Sequence, residues 1–301
     1  MKILVFGEIL WDIIGDKAYI GGAPFNLASH SSNMGLHSYL VTSVGDDFLG
    51  KSALKSAKNH NIHMDYVSES SKYPTGAVEV TVNEQGIPNY VINEDVAWDN
   101  IQLSEEQLKE IANTKWDVFC FGTLAQRTET NRTLLSVILE NINAKEIFFD
   151  INLRQDYFDK KSITYSLSKS TIVKLNDEES FFLDKYLFSK EGTLDEFAER
   201  LRAKFNIKIL CITKGPAGAD IYHEDKKYSV PGVKITVADT VGAGDSFCAG
   251  FLASYLSGNS LEKSGELAVQ VAGYVASKDG AIPEYSTELK ETVAHLINNH
   301  K

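Results

Sequence analysis

Short apolar runs recur along this 301-residue chain and alternate with longer amphipathic stretches. Ile3–Phe6, Tyr39–Val44, Val118–Phe121, Ile147–Phe149, Ile172–Leu175 and Ile207–Ile212 have the length and near-continuous apolarity of strands buried on both faces. The stretches between them are long enough for crossover helices, so the pattern predicts an α/β fold with a central, mostly parallel sheet flanked by helices. Nearly every run stops in small or polar residues: Gly7-Glu8, Gly45-Asp46-Asp47, Gly122-Thr123, Asp150 with Asn152, Asn176, and Thr213 with Gly215. Ligands of open parallel sheets bind outside the carboxyl ends of the strands, so these residues are expected to converge on one site.

Between Pro74 and Trp98 the period changes to two. Val78, Val80 and Val82 share a face, Asn83-Glu84-Gln85-Gly86 reads as a turn, and Tyr90-Val91-Ile92 returns, which predicts a hairpin outside the main sheet. A second extended piece, Asp12–Ile20, could pair with it, and together they are expected to form a small β lid over the crevice. The chain has no internal repeat, Pro-rich linker or composition break, so residues 1–301 read as one domain with lid segments at about 12–20 and 74–98.

Composition narrows the function. With 43% hydrophobic and 24% charged residues the chain can bury a sizeable core. Lys+Arg of 30 against Asp+Glu of 41 leaves −11, a sign that repels phosphate backbones and anionic lipid, so neither nucleic acid nor membrane is an expected partner. Cys120, Cys211 and Cys248 lack CxxC spacing and sit among apolar or small neighbours, as free thiols of a reducing compartment would. Lys2–Phe6 is too short for a signal segment, and the long uncharged stretch Ala18–Gly45 is rich in Gly, Ser, Asn and His; a soluble, cytoplasmic protein is expected. His60 and His63 lie three apart without a third ligand nearby and are not read as a metal site.

The most unusual stretch is Ala238-Asp239-Thr240-Val241-Gly242-Ala243-Gly244-Asp245-Ser246-Phe247, followed by a helix-like run. Small residues opening a helix leave amides unpaired at its positive end, a nest suited to a phosphoryl group. An acid beside such a cradle makes sense as a base for an incoming hydroxyl, although Asp also commonly caps helices. No Rossmann GxGxxG or Walker A loop accompanies it. Near the N-terminus, Gly21-Gly22-Ala23-Pro24-Phe25-Asn26 opens a helix with Pro24 in its first turn, and Asp12 with Asn26 would suit neighbouring hydroxyls.

Together and in this order, the two segments resemble the ribokinase-like (PfkB) family of sugar kinases, over Phe6 to Pro283. The first signature matches Gly21-Gly22-Ala23 with Asn26 and Ala28, then Gly35, Val44-Gly45-Asp46-Asp47 and Gly50; the second matches Asp239 to Phe247. The resemblance implies that Asp245 is the catalytic base for a sugar's primary hydroxyl. It implies that the amides of Gly242, Ala243 and Gly244 form the anion hole for the γ-phosphate of ATP, and that Asp12, Gly22 and Asn26 grip the sugar. Asn176 and Glu179 in Lys174-Leu175-Asn176-Asp177-Glu178-Glu179 match its NxxE motif, which holds the waters of Mg²⁺; Asn176 capping an acidic helix start is the alternative. Lys174, Asn176 and the turn containing Thr213, Gly215 and Gly218 would lie on the nucleotide side. Asp150-Ile151-Asn152-Leu153-Arg154 resembles a DxNxR element in which Arg154 donates to phosphate oxygens. Asp239 and Val241, with the turn near Ser277–Gly280, are compatible with a K⁺ site. Trp11-Asp12, Gly122-Thr123-Leu124-Ala125-Gln126-Arg127 and the DxNxR element lean to the fructokinase branch, which implies ATP-dependent phosphorylation of fructose. A 2-keto-3-deoxygluconate kinase, a ribokinase or a non-catalytic sensor on the same fold are the alternatives. The alternating valines of the lid offer a face for a homodimer.

Overall fold

A computed structural model describes residues 1–82 and 88–298. The strands are β1 (Lys2–Phe6), β2 (Leu10–Ile14), β3 (Lys17–Gly21), β4 (His37–Gly45), β5 (His63–Ser70), β6 (Gly76–Val82), β7 (Pro88–Ile92), β8 (Lys115–Gly122), β9 (Asn143–Asp150), β10 (Ile172–Asn176), β11 (Ile209–Thr213), β12 (Ala219–His223) and β13 (Lys226–Val230). The helices are α1 (Ala23–Asn33), α2 (Phe48–Asn59), α3 (Glu105–Asn113), α4 (Glu129–Asn141), α5 (Lys160–Lys169), α6 (Asp177–Phe188), α7 (Leu194–Phe205), α8 (Ala243–Leu256), α9 (Leu261–Ala276) and α10 (Thr287–Asn298).

Nine strands form the main sheet in the order β13-β12-β11-β10-β9-β8-β1-β4-β5. From β11 to β5 all neighbours run parallel, and β12 and β13 add an antiparallel edge. Side-chain alternation sends Ile3 and Val5 to a core shared with α1, α2, α8, α9 and α10, and Leu4 and Phe6 to a second core with α3 to α7. Both faces of β1 are therefore dry, which is why its sequence is apolar without a period. The chain leaves β1 towards β4 and later returns on its other side as β8, so the order reverses there and a crevice opens at the carboxyl ends of β1 and β8.

The second sheet has the order β3-β2-β6-β7. The expected hairpin is β6 and β7, and the Asp12–Ile20 piece joins it as β2 and β3, with β2 parallel to β6. The predicted turn Asn83 to Gly86 lies outside the described residues. Val78 does not present an open face for a second copy. It is buried with Leu10, Ile92, Val96, Trp98 and Leu124 against the main body. Where the sheet joins the body, the Trp11 indole donates to Leu49 O at 3.0 Å, and the Asp47 carboxylate takes the amide and hydroxyl of Thr75, each at 2.8 Å. All three cysteines are buried and free, as expected. No helix among the described residues is long and apolar enough to cross a membrane.

Candidate active site

The segment before α8 has no regular secondary structure and is mostly exposed, and the helix begins where Gly242 turns into the left-handed region at φ 76°. Gly242 is needed there twice over: the conformation favours glycine, and a Cβ would lie 2.5 Å from the Ala281 carbonyl oxygen. A glycine N-cap has no side chain to satisfy the first-turn amides of α8, so the positive end of the helix stays open. Of those amides, Ala243 N–H already reaches Thr240 O at 3.3 Å. From Ser246 to Ser254 the helix is buried, and Gly250 lets it approach Ala268 of α9 closely, which fixes where its N-terminus points.

Asp245 is the third residue of α8, partly buried, and its Oδ2 accepts from Nδ2 of Asn26 at 2.8 Å. Burial and the nearby Asp150 carboxylate push its pKa up to about 6, against the downward pull of Asn26, Lys174 and Arg154. At neutral pH it remains mostly ionised, with a proton affinity closer to that of a working base than an exposed Asp has. Asn26 arrives on α1, which starts as expected after Gly22, with Pro24 at its beginning. Gly22 sits at φ 104°, and a Cβ there would lie 2.5 Å from the carbonyl of Glu8.

Asp12, on β2, lies against Gly21, and burial pushes its pKa up to about 6 while Arg154 draws it down. Glu8, which the sequence marked only as a strand end, is fully enclosed. Burial lifts its pKa to about 7, and Asp245 adds to the rise. Arg154 is exposed on the loop after β9, and its charge acts on Glu8, Asp12 and Asp245 alike. The crevice thus gathers three carboxyl groups of raised proton affinity around one open cation.

Beneath α8 lies a buried ion pair. Nζ of Lys174 on β10 contacts Asp150 Oδ1 at 3.1 Å and sits 3.2 Å from where a Cβ on Gly244 would be. The ammonium is therefore paired with Asp150 and held under the glycine loop, inside the protein. Asn176 and Glu179 form a reciprocal cap on α6: Asn176 Oδ1 accepts from Glu179 N at 2.8 Å, and Glu179 Oε2 accepts from Asn176 N at 2.8 Å. Glu179 Oε1 accepts from Leu153 N at 2.7 Å, which pins the loop carrying Arg154.

Thr213 pairs with Asn176 across β10 and β11, so the turn at Gly215 and Gly218 lies along the same sheet edge. Gly218, at φ 91°, lets Val230 and Gly232 cross its backbone. Asp239 Oδ1 accepts from Val241 N at 3.0 Å, and the amides of Ala238 and Asp239 both reach Ala276 O. A cavity of about 630 Å³ opens beside Thr75, Ile13 and Glu79. None of the site residues above lines it, and Ile13 and Glu79 stand on the opposite face of the second sheet from Asp12.

Arg127 is spent on structure. Its guanidinium bonds both oxygens of Asp99 and the Asn93 carbonyl, between the rings of Trp98 (4.1 Å) and Tyr157 (4.7 Å). It fastens the exit of the second sheet to the body.

Comparison with known proteins identifies the family. The family model described as pfkB family carbohydrate kinase matches residues 4–288. An ATP-dependent 6-phosphofructokinase of Thermoanaerobacterium thermosaccharolyticum is 28% identical over 298 residues, covering 93% of this chain and 89% of its own. A fructokinase of Rhizobium leguminosarum bv. trifolii is 30% identical over 276 residues, covering 87% and 82%. The crystal structure of an uncharacterized sugar kinase from Pyrococcus horikoshii in complex with ATP superposes with a TM-score of 0.82 at 25% identity, over 99% of this chain and 100% of that one. A match spanning nearly the whole chain, on a site built at the switch point of its sheet, places the protein in the pfkB family of carbohydrate kinases.

Proposed function

We propose that the protein transfers the γ-phosphoryl group of ATP to the primary hydroxyl of a free sugar, with fructose giving fructose 6-phosphate. The observation that carries this reading is the pairing of an uncapped helix N-terminus with Asp245 in its first turn, a carboxylate whose one oxygen is held by Asn26. Asp245 Oδ1 is then free to take the hydroxyl proton as the sugar oxygen bonds to phosphorus and the bond to ADP breaks. The amides of Gly242 and Gly244, with Ala243 between them, would steady the charge on the migrating group, and the Lys174–Asp150 pair packs beneath the loop that carries them. Arg154 would meet the phosphoryl oxygens from the open side.

The second sheet serves as the lid. Asp12, Gly22 and Asn26 would hold sugar hydroxyls, and Asn26 Oδ1, buried with no partner among the described residues, suits a hydroxyl donor. The 30% identity to a fructokinase of Rhizobium leguminosarum bv. trifolii supports fructose as the acceptor. The phosphofructokinase relative raises a second reading, a phosphorylated acceptor. Charge argues against it. Glu8, Asp12 and Asp245 crowd the crevice, Arg127 is neutralised by Asp99 and Lys174 by Asp150, so of the cations placed here among the described residues Arg154 alone is open to another dianion.

Thr213, Gly215 and Gly218 would lie against the nucleotide. Mg²⁺, which neutralises phosphate charge when bound, fits Asn176 and Glu179 only through its waters, because their oxygens already accept backbone amides but retain further lone pairs. Asp239 and the Val241 carbonyl, beside the loop after α9, would take K⁺; equal rates in K⁺ and in a large organic cation would exclude this. Free buried thiols fit a cytoplasmic location. The test is ADP release with fructose, ribose, 2-keto-3-deoxygluconate, adenosine and fructose 6-phosphate. Fructose should give the highest kcat/KM, and preference for fructose 6-phosphate would install the second reading.

A further inference from the structure

Helix α1 carries a second polar residue one turn beyond Asn26. His30 is fully buried, its Nε2 lies 2.9 Å from the Ala281 carbonyl oxygen and its Nδ1 lies 2.7 Å from the Tyr285 hydroxyl. A carbonyl only accepts, so Nε2 carries the proton and Nδ1 accepts from Tyr285. Burial lowers its pKa to about 4, in keeping with a neutral ring, and the ring stacks on Tyr285 at 5.7 Å and 14°. Ala281 is in turn the wall against which Gly242 packs: a Cβ on Gly242 would meet the Ala281 oxygen, Cα and Cβ at 2.5, 2.8 and 2.9 Å.

We propose that His30 is a positioning residue for phosphoryl transfer, holding the Ala281 carbonyl so that the loop after α9 sets the place of Gly242 at the mouth of α8. Residues i and i+4 of a helix share a face. Through Asn26 and His30, one face of α1 therefore grips the base directly and the glycine loop through Ala281. The helix that presents the sugar-side residues thus also sets the phosphate side, and the two halves of the reaction are aligned by a single rigid element. The inference rests on the phosphoryl-transfer reading of α8.

The test compares His30→Leu with His30→Gln, whose amide nitrogen can still donate to Ala281 O, and with Tyr285→Phe. His30→Leu should lower kcat about tenfold or more, the rate equivalent of one lost buried hydrogen bond, while the sugar KM stays within about twofold because Asp12 and Asn26 are untouched. His30→Gln should return kcat to within about threefold of wild type. Equal kcat in all variants would overturn the proposal, and so would loss of kcat and sugar KM together without recovery in His30→Gln. If His30→Leu does not fold, His30→Gln near wild type with Tyr285→Phe lower by about threefold supports the proposal, and an unchanged Tyr285→Phe overturns it. The ratio of ADP to ATP dissociation constants, which reports the grip on the γ-phosphate, should fall in His30→Leu. That readout stands even if none of the sugars is a substrate, so failure of the kinase reading and failure of the His30 proposal are separable.

Discussion

Asp245 and Glu179 occupy the same place in two helices, the third residue of α8 and of α6, and the structure uses them in opposite ways. Glu179 turns back on its own helix, closes the cap with Asn176 and spends both oxygens on backbone amides. Asp245 follows a glycine N-cap, leaves its own helix uncapped and takes its one side-chain donor from α1. A carboxylate at a helix start is therefore not a site by itself; it becomes reactive where the cap is withheld and a neighbouring helix supplies the contact.

The sharpest way to break that contrast is to remove the reactive oxygen without changing shape. Asp245→Asn should lower kcat by about 10³-fold while the ATP dissociation constant stays within a few-fold, because the base is lost and the amides remain. Gly242→Ala should cost about 10²-fold in kcat and weaken ATP as well, since the new Cβ pushes the loop off Ala281 and misaligns its donors; unchanged ATP affinity would count against the amide nest. A pH profile sharpens the contrast further. With Asp245 and Asp12 both lifted to about 6, kcat/KM should fall below that pH, approaching tenfold per unit as Asp245 protonates.

The smallest effects are on stability and differ in sign. The pKa of Asp245 is raised on folding, so its contribution is present below the ordinary Asp value and is lost as pH rises towards about 6. Asp245→Asn should therefore raise Tm at pH 8 more than at pH 5. Glu179→Gln leaves one backbone amide facing a donor and should cost about 1–3 kcal/mol, read as a lower denaturation midpoint. A stabilised Glu179→Gln protein would mean that the cap is not what holds the loop at Leu153.

Much of this was legible in the sequence because it is local. Apolar runs set the strands of the main sheet from β1 to β11 except β5, the change to period two set β6 and β7, and Gly242 to Asp245 announced an open helix start. The short strands β12 and β13, broken by Asp220, His223, Lys226 and Lys227, do not stand out as apolar runs. What the sequence hid depends on distant partners. Gly122 to Arg127 leaned towards a sugar identity, yet Arg127 binds Asp99 and the Asn93 carbonyl, 28 and 34 residues away. His30 meets a carbonyl 251 residues on, and the enclosed Glu8 feels the charges of Asp245 and Arg154, far along the chain. The Asn176 cap was visible as an alternative, since Asn three residues before Glu is a capping pattern wherever it occurs.

The central claim is that the withheld cap on α8 and its free carboxylate pass a phosphoryl group to a primary alcohol. The most direct measurement is phosphorus NMR of the product formed from ATP and fructose. The account predicts one equivalent of ADP and a phosphomonoester whose phosphorus is split by the two protons of a methylene carbon. Inorganic phosphate in its place, or no ADP at all, would contradict it.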